Sequence, residues 1–435
     1  MIMSTRILFP ALAFFLFINN AFSQITIEQC QEKARANYPL VNQYGLIEKS
    51  REYNLSNAAK AWLPQVSMNA KATWQSDVTE LPFTMPGIGE MDKDQYQATI
   101  EISQTLWDGG ATRARKEMYE ASAEIEKQKY EVDLYTIRER VNQLYFGIIF
   151  LNEQLGITEV LQDDLETNFH FVESMMKNGI ASQSDLDAIR VEQLKADQSF
   201  AEILATRNAY YQMLSAFIGE TVSANIPFEK PVLPEMRTDT FKIMRPELFL
   251  FDAQSRMTES QGKLIRSASM PKLGLFAQGG YGKPGLNMLS NEFSPFFIGG
   301  VRLSWSLGSF YTQSNDLQLL KINSSSAEIQ KQTFIFNTNL KIAQQNTEIE
   351  KWQKLLESDD EIIQLRKSIK SNTEVRLENG TATASDLIRD TNALSRAMFD
   401  KAMHETQLLI VYYNLKNSTT HTKLLLKIRT ILQVF

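Results

Sequence analysis

Strict alternation of apolar and polar positions is the clearest pattern in this chain. In "QVSMNAKATW" (65–74), Val66, Met68, Ala70, Ala72 and Trp74 alternate with Gln65, Ser67, Asn69, Lys71 and Thr73. In "QATIEISQTLW", Ala98, Ile100, Ile102 and Leu106 alternate with Gln97, Thr99, Glu101, Ser103 and Thr105. The pattern returns in "KLGLFAQGGY" (Leu273, Leu275, Ala277, Tyr281) and in "FIGGVRLSWSL" (Phe297, Val301, Leu303, Trp305, Leu307). A period of two gives a strand one apolar and one wet face, which predicts strands near 64–75, 96–107, 271–282 and 296–307. Each has about ten residues, the length of a tilted membrane strand. Trp74, Trp107, Tyr281 and Trp305 lie at strand ends, where an aromatic girdle sits. A half-buried soluble sheet would explain any one of these strands; two such hairpins favour the membrane reading.

A helical period governs the stretches between. From Ala111 to Asn178 there is no proline, and Leu134, Ile137, Val141, Leu144, Ile148, Leu151 and Leu155 follow alternating steps of three and four, a heptad seam. From Tyr311 to Asn379 there is neither proline nor glycine. About 65 helical residues extend roughly 100 Å, too long for a compact globule, so an elongated coiled-coil-like body is expected. Each long helix runs into a similar decamer, "KNGIASQSDL" (177–186) and "ENGTATASDL" (378–387), which share the Asn-Gly pair and the Ser-Asp-Leu end. Asn178-Gly179 and Asn379-Gly380 supply left-handed closing residues, and Ser182-x-x-Asp185 and Thr383-x-x-Asp386 match capping boxes opening a return helix. The decamers therefore read as hairpin tips at about 178–184 and 379–385.

These elements arrange themselves as an internal repeat: helix, strand, loop, strand, long helix, tip, return helix. Repeat one occupies 24–218 and repeat two 245–418. A proline-rich connector at 219–244 ("IPFEKPVLPEM") joins them, and a tail follows at 419–435.

Composition adds a compartment. Arg6, an apolar run to Ile18 and the small residues Ala21 and Ser23 read as a signal peptide over 1–23, so the mature chain is expected outside the cytoplasm. The formal charge of −6 argues against a nucleic-acid partner. The single cysteine, Cys30, has no internal disulfide partner and reads as a buried apolar residue of a short helix. No further stretch approaches 18 consecutive apolar residues, so membrane entry is expected through β-structure alone. Four strands do not close a barrel, and an open edge in lipid costs several kcal/mol per unpaired backbone group. A homotrimer with a 12-strand barrel, continued by an α-helical barrel, resolves this.

Several segments resemble the TolC-like outer membrane efflux proteins. "TIEQCQEKARANYPL" (26–40) is similar to the family's opening helix, "AWLPQVSMNA" to its Leu-Pro entry into the first strand, and "SQTLWDGGATRAR" to its strand-to-helix corner with Asp108, Gly109 and Gly110. The second corner, "SWSLGSFYTQS", lacks the Asp-Gly-Gly. The tips resemble the family's Gly-x-x-Ser/Thr-x-x-Asp pattern, and the likeness covers essentially all of the mature sequence. It implies a passive homotrimeric duct across outer membrane lipid and periplasm, docked by a periplasmic adaptor and an inner-membrane pump or ABC exporter. On this likeness Asp185, Asp187, Asp386 and Asp390, with Arg376 and Arg389 as basic partners, are candidates for a periplasmic aperture. Gly179, Ser182, Leu186, Gly380, Thr383 and Leu387, expected at exposed tips, are candidates for adaptor contact. The plainer alternatives are that Asp185 and Asp386 only cap helices and that the glycines only make turns. At the level of the whole chain, the alternative is a periplasmic coiled-coil adaptor or structural envelope protein.

No enzyme chemistry is legible. His170, His404 and His421 are scattered without metal-ligand spacing, "GGYGKPG" lacks the spacing and following helix of a phosphate loop, and no cofactor is expected.

Overall fold

The computed structural model describes residues 24–79, 91–224, 226–233 and 243–419. The signal-peptide reading of 1–23, part of the connector and the tail beyond 419 lie outside the described residues. In chain order the elements are α1 (Ile27–Asn37), α2 (Val41–Ala59), β1 (Gln65–Trp74), β2 (Asp94–Trp107), α3 (Ala111–Lys177), α4 (Gln183–Ile218), α5 (Pro246–Ala268), β3 (Lys272–Lys283), β4 (Ser294–Ser304), α6 (Ser309–Glu378) and α7 (Ala384–Thr419). They group into two compact units.

One unit holds α2, α5, the four strands, the first part of α3 up to Thr136 and the first part of α6 up to Asn346. Its sheet is antiparallel with order β1-β2-β3-β4, so β1 and β4 are edges. Register places the apolar positions side by side: Met68 faces Ile100, Ile100 faces Gly279, and Gly279 faces Phe297. The next rung aligns Val66, Ile102, Ala277 and Gly299. One face is thus a continuous apolar surface, and it is uncovered; Met68 is 73 % and Phe297 70 % exposed. The other face carries Ser67, Asn69, Glu101, Gln278 and Arg302, with Arg302 Nη1 bonded to Glu101 at 2.9 Å. Gly280 allows a close approach: a Cβ there would stand 2.3 Å from the Phe296 ring.

The two sheet-to-helix corners differ. At the first, the backbone N–H groups of Gly110 and Thr112 donate to the Asp108 carboxylate at 2.9 and 2.6 Å, and Gly109 and Gly110 take left-handed φ of 69° and 86°. At the second, β4 ends at Ser304, three residues before Leu307, where the alternation had placed its end. Ser309 and Phe310 N–H groups donate to Ser306 and Leu307 carbonyls, so local turn bonds replace the ladder there. That corner closes without any left-handed glycine.

The other unit holds α1, α4, the later parts of α3 and α6, and α7 up to Asn414. All seven residues of the α3 heptad seam are buried, Val141 and Ile148 completely. α3 contains an 18-residue window whose mean hydropathy would suit a bilayer by length and composition, though it is not an unbroken apolar run. Its apolarity belongs to a packed seam, with Tyr145 and Phe146 beside Val141 and Ile148 also fully buried. The Tyr145 hydroxyl lies 2.7 Å from the carbonyls of Ile25 and Glu229, pinning two extended segments that bridge at Ile25 and Phe228. Lys230 anchors the same segment through Glu153 and Glu405. The Asn37 amide donates to the carbonyls of Ala216 and Phe217, satisfying the end of α4, while Gly219 closes that helix with φ 74°. Cys30 is buried on α1, and that burial pushes its thiol up to about 12.

Candidate functional site: the paired helical tips

Both tips are built by the same local chemistry. Past Lys177, the N–H of Ile180 reaches back to the Met175 carbonyl at 2.9 Å, and past Glu378 the N–H of Thr381 reaches the Arg376 carbonyl at 2.8 Å. Gly179 and Gly380 sit at φ of 75° and 69°. A Cβ at either would meet nothing within 4 Å, so glycine is needed there for its backbone conformation, not for space.

The return helices start with reciprocal caps. Asp185 N–H donates to Ser182 Oγ at 3.3 Å and Ser182 N–H to Asp185 Oδ2 at 3.0 Å. The matching distances at the second tip are 3.2 Å for Asp386 N–H to Thr383 Oγ1 and 3.1 Å for Thr383 N–H to Asp386 Oδ2. The Ser182 and Thr383 hydroxyls also donate to these carboxylates. They are the leading reason both carboxyls are held below the ordinary aspartate range, with the backbone N–H groups next. A lowered value means stability that is present at neutral pH and lost as the pH falls through it. The helix-capping reading of Asp185 and Asp386 therefore has a geometric basis. Ser182→Ala should cost about 1 kcal/mol of local stability, seen as faster amide hydrogen exchange confined to the first turn of α4. Unchanged exchange there would show that the cap carries no weight.

Below the tips the two hairpins share one core: Leu165, Val172, Met175, Leu186, Ile189, Ala196, Leu377, Ala384 and Leu387. This corrects an expectation. Leu186 (9 % exposed) and Leu387 (1 %) are not surface residues available for contact. Each occupies the fourth position of its return helix, where an apolar residue folds under the cap against the residue before it; Ala181 and Ala382 pack against the same cluster. Polar links also join the hairpins: Lys370 to Asp164 at 2.7 Å, Asn392 to Glu192 at 3.0 Å and Asn168 to Thr391 at 3.4 Å. No sequence pattern pointed to these, because each joins residues far apart in the chain.

The charged candidates separate by tip. Asp187 is exposed and accepts from the Gln183 amide at 2.8 Å. Arg389 bonds both Asp386 (2.9 Å) and Asp390 (3.2 Å), the basic partnership anticipated for it. Asp390 itself is only 5 % exposed and takes the Thr373 hydroxyl at 2.7 Å; it ties α6 to α7 and does not face solvent within this chain. Arg376 meets no carboxylate among the described residues; its guanidinium donates to the Thr381 carbonyl at 3.1 Å. Among the described residues no group of three or more His, Cys, Asp or Glu could hold a metal ion.

Against known proteins, residues 31–220 match the family model described as "Outer membrane efflux protein". Solved structures share the fold along most of the chain. VceC, the outer membrane protein of Vibrio cholerae, is 13 % identical with a TM-score of 0.67, over 90 % of this chain and 94 % of that one. The CmeC outer membrane channel of Campylobacter jejuni is 14 % identical with a TM-score of 0.68, over 92 % and 86 %. The MtrE outer membrane channel of Neisseria gonorrhoeae, in its open state, is 13 % identical with a TM-score of 0.66, over 90 % and 88 %. No curated protein sequence matches the chain. The bare apolar sheet face and the capped double hairpin thus sit in a chain whose residues 31–220 resemble the outer membrane efflux proteins and whose fold, over about nine-tenths of its length, is that of solved outer membrane channels.

Proposed function

We propose that three copies of this chain close one twelve-stranded barrel, and that their helices continue it as a passive exit duct. The observation that carries this is the sheet: four strands whose two edges are open and whose apolar face is bare. Lipid accepts such a face but not such edges. Pairing β4 of one copy with β1 of the next keeps the antiparallel order, and three copies exceed the roughly eight strands of small membrane barrels. An exposed stripe on α6 supports it: Leu319, Ile322, Ile329, Phe336 and Leu340 fall on a three-four spacing that calls for a partner helix. The apolar face then meets lipid, and the face with Asn69, Glu101 and Arg302 lines the duct. Native mass spectrometry of protein extracted from outer membranes tests this; three chains are expected, and a lone chain would refute it.

The duct works in a tripartite efflux or type I secretion assembly, docking a periplasmic adaptor and an inner-membrane pump or ABC exporter that supplies the energy. The exposed positions Gly179, Ser182, Gly380 and Thr383 remain the adaptor contacts, and cysteines at Ser182 or Thr383 should crosslink to it in cells. Asp185, Asp187 and Asp386, with Arg389, belong to the aperture. Asp386→Asn should change single-channel conductance or its block by divalent cations in planar bilayers. Unchanged conductance and block would remove Asp386 from the gate.

A further inference from the structure

A cleft of about 310 Å³ lies where the polar face of the sheet meets the start of α3. Its walls are Ser103 and Thr105 of β2, Lys272 of β3, Arg302 of β4, and Thr112 and Arg115 of α3. Gly274, between Lys272 and Phe276 on the same strand, leaves part of its floor without a side chain.

The charges there do not balance. Asp108 is the one carboxylate lining it, and both its oxygens already accept from the N–H groups of Gly110 and Thr112. Glu101, outside the lining, holds Arg302 at 2.9 Å, whose guanidinium also stands 4.5 Å from the centre of the Phe276 ring. Arg115 and Lys272 have no acidic partner among the described residues. Two unneutralised cations and the Arg302 guanidinium, beside hydroxyls that can donate, make a receptor for an anion.

We propose that this cleft binds a small anionic group, a phosphate, sulfonate or carboxylate carried by the exported cargo, at one site per chain. Its volume corresponds to about ten water molecules, enough for pyrophosphate or the charged end of a larger solute. Its opening into the duct rests on the trimeric reading of the previous subsection; anion binding by the chain does not.

The test is calorimetric titration of pyrophosphate into the purified detergent-solubilised protein at low salt. The expected result is saturable binding at one site per chain, weakened at least tenfold in the Arg115→Gln/Lys272→Gln double variant. A control pair with the same charge change outside the cleft, Lys49→Gln/Lys321→Gln, should bind as the parent does. Absence of saturable binding, or equal weakening by the control pair, would overturn the proposal. Because the substituted residues are exposed, intact helicity in both variants should accompany the measurement. Native mass spectrometry of the same sample separates the two readings: a verified trimer that fails to bind refutes the site alone, while a binding monomer refutes the duct alone.

Discussion

Ile100→Arg is expected to remove the protein from the outer membrane. Ile100 sits near the middle of β2, between Met68 of β1 and Gly279 of β3 on the apolar face. An arginine facing lipid near the bilayer midplane costs about 2–4 kcal/mol, and in the proposed trimer that cost recurs three times, about 6–12 kcal/mol in all. Domain stabilities are of order 5–15 kcal/mol, so assembly should fail. Asn69→Arg provides the contrast, one position along β1 from Met68 and on the opposite, polar face. It adds the same charge at nearly the same depth and should assemble almost normally. Membrane fractionation with unheated gels reads both. Equal assembly of the two variants would show that the apolar face does not meet lipid.

Leu387→Ala should loosen both hairpin ends together. Leu387 is 1 % exposed and shares its core with Leu377 on α6 and with Met175, Leu186 and Ile189 on the first hairpin. Truncating a buried leucine costs about 2–5 kcal/mol, and in a helical hairpin the loss falls on local opening before global unfolding. Converted at 1.4 kcal/mol per decade, amide exchange at tip residues near 172–190 and 377–391 should rise roughly 30- to 4,000-fold. The Val141–Leu155 stretch of α3 should keep its protection. A rise confined to α7 would show that the two tips do not share a core, and no rise would show that Leu387 carries little of it.

The strands were legible because each has one face that must be apolar along its whole length, which leaves a period of two unbroken by packing detail. The α3 seam was legible for a similar reason: every position from Leu134 to Leu155 on the three-four spacing is buried. The caps were legible because Ser182–Asp185 and Thr383–Asp386 close within four residues. Leu186 and Leu387 were misplaced although a signal was present, since an apolar residue one position past a capping box folds beneath it. Asn37 on the end of α4, Lys370 on Asp164 and Thr373 on Asp390 had no such signal. Their partners are brought together by tertiary folding, and a polar residue on a helix surface carries no mark of which distant neighbour it will meet. The end of β4 was missed because Trp305 and Leu307 continue the alternation while their backbone has already turned.

The proposed closure between copies can be tested at the edge strands themselves. In a Cys30→Ala background, a cysteine at Met68 of β1 is paired in turn with one at Phe297, Gly299 or Val301 of β4, all on the apolar face. One of these registers should yield disulfide-linked trimers in native outer membranes. Disulfides within a single chain, or no crosslink in any register, would mean that the sheet finds its missing neighbours elsewhere and that no shared barrel exists.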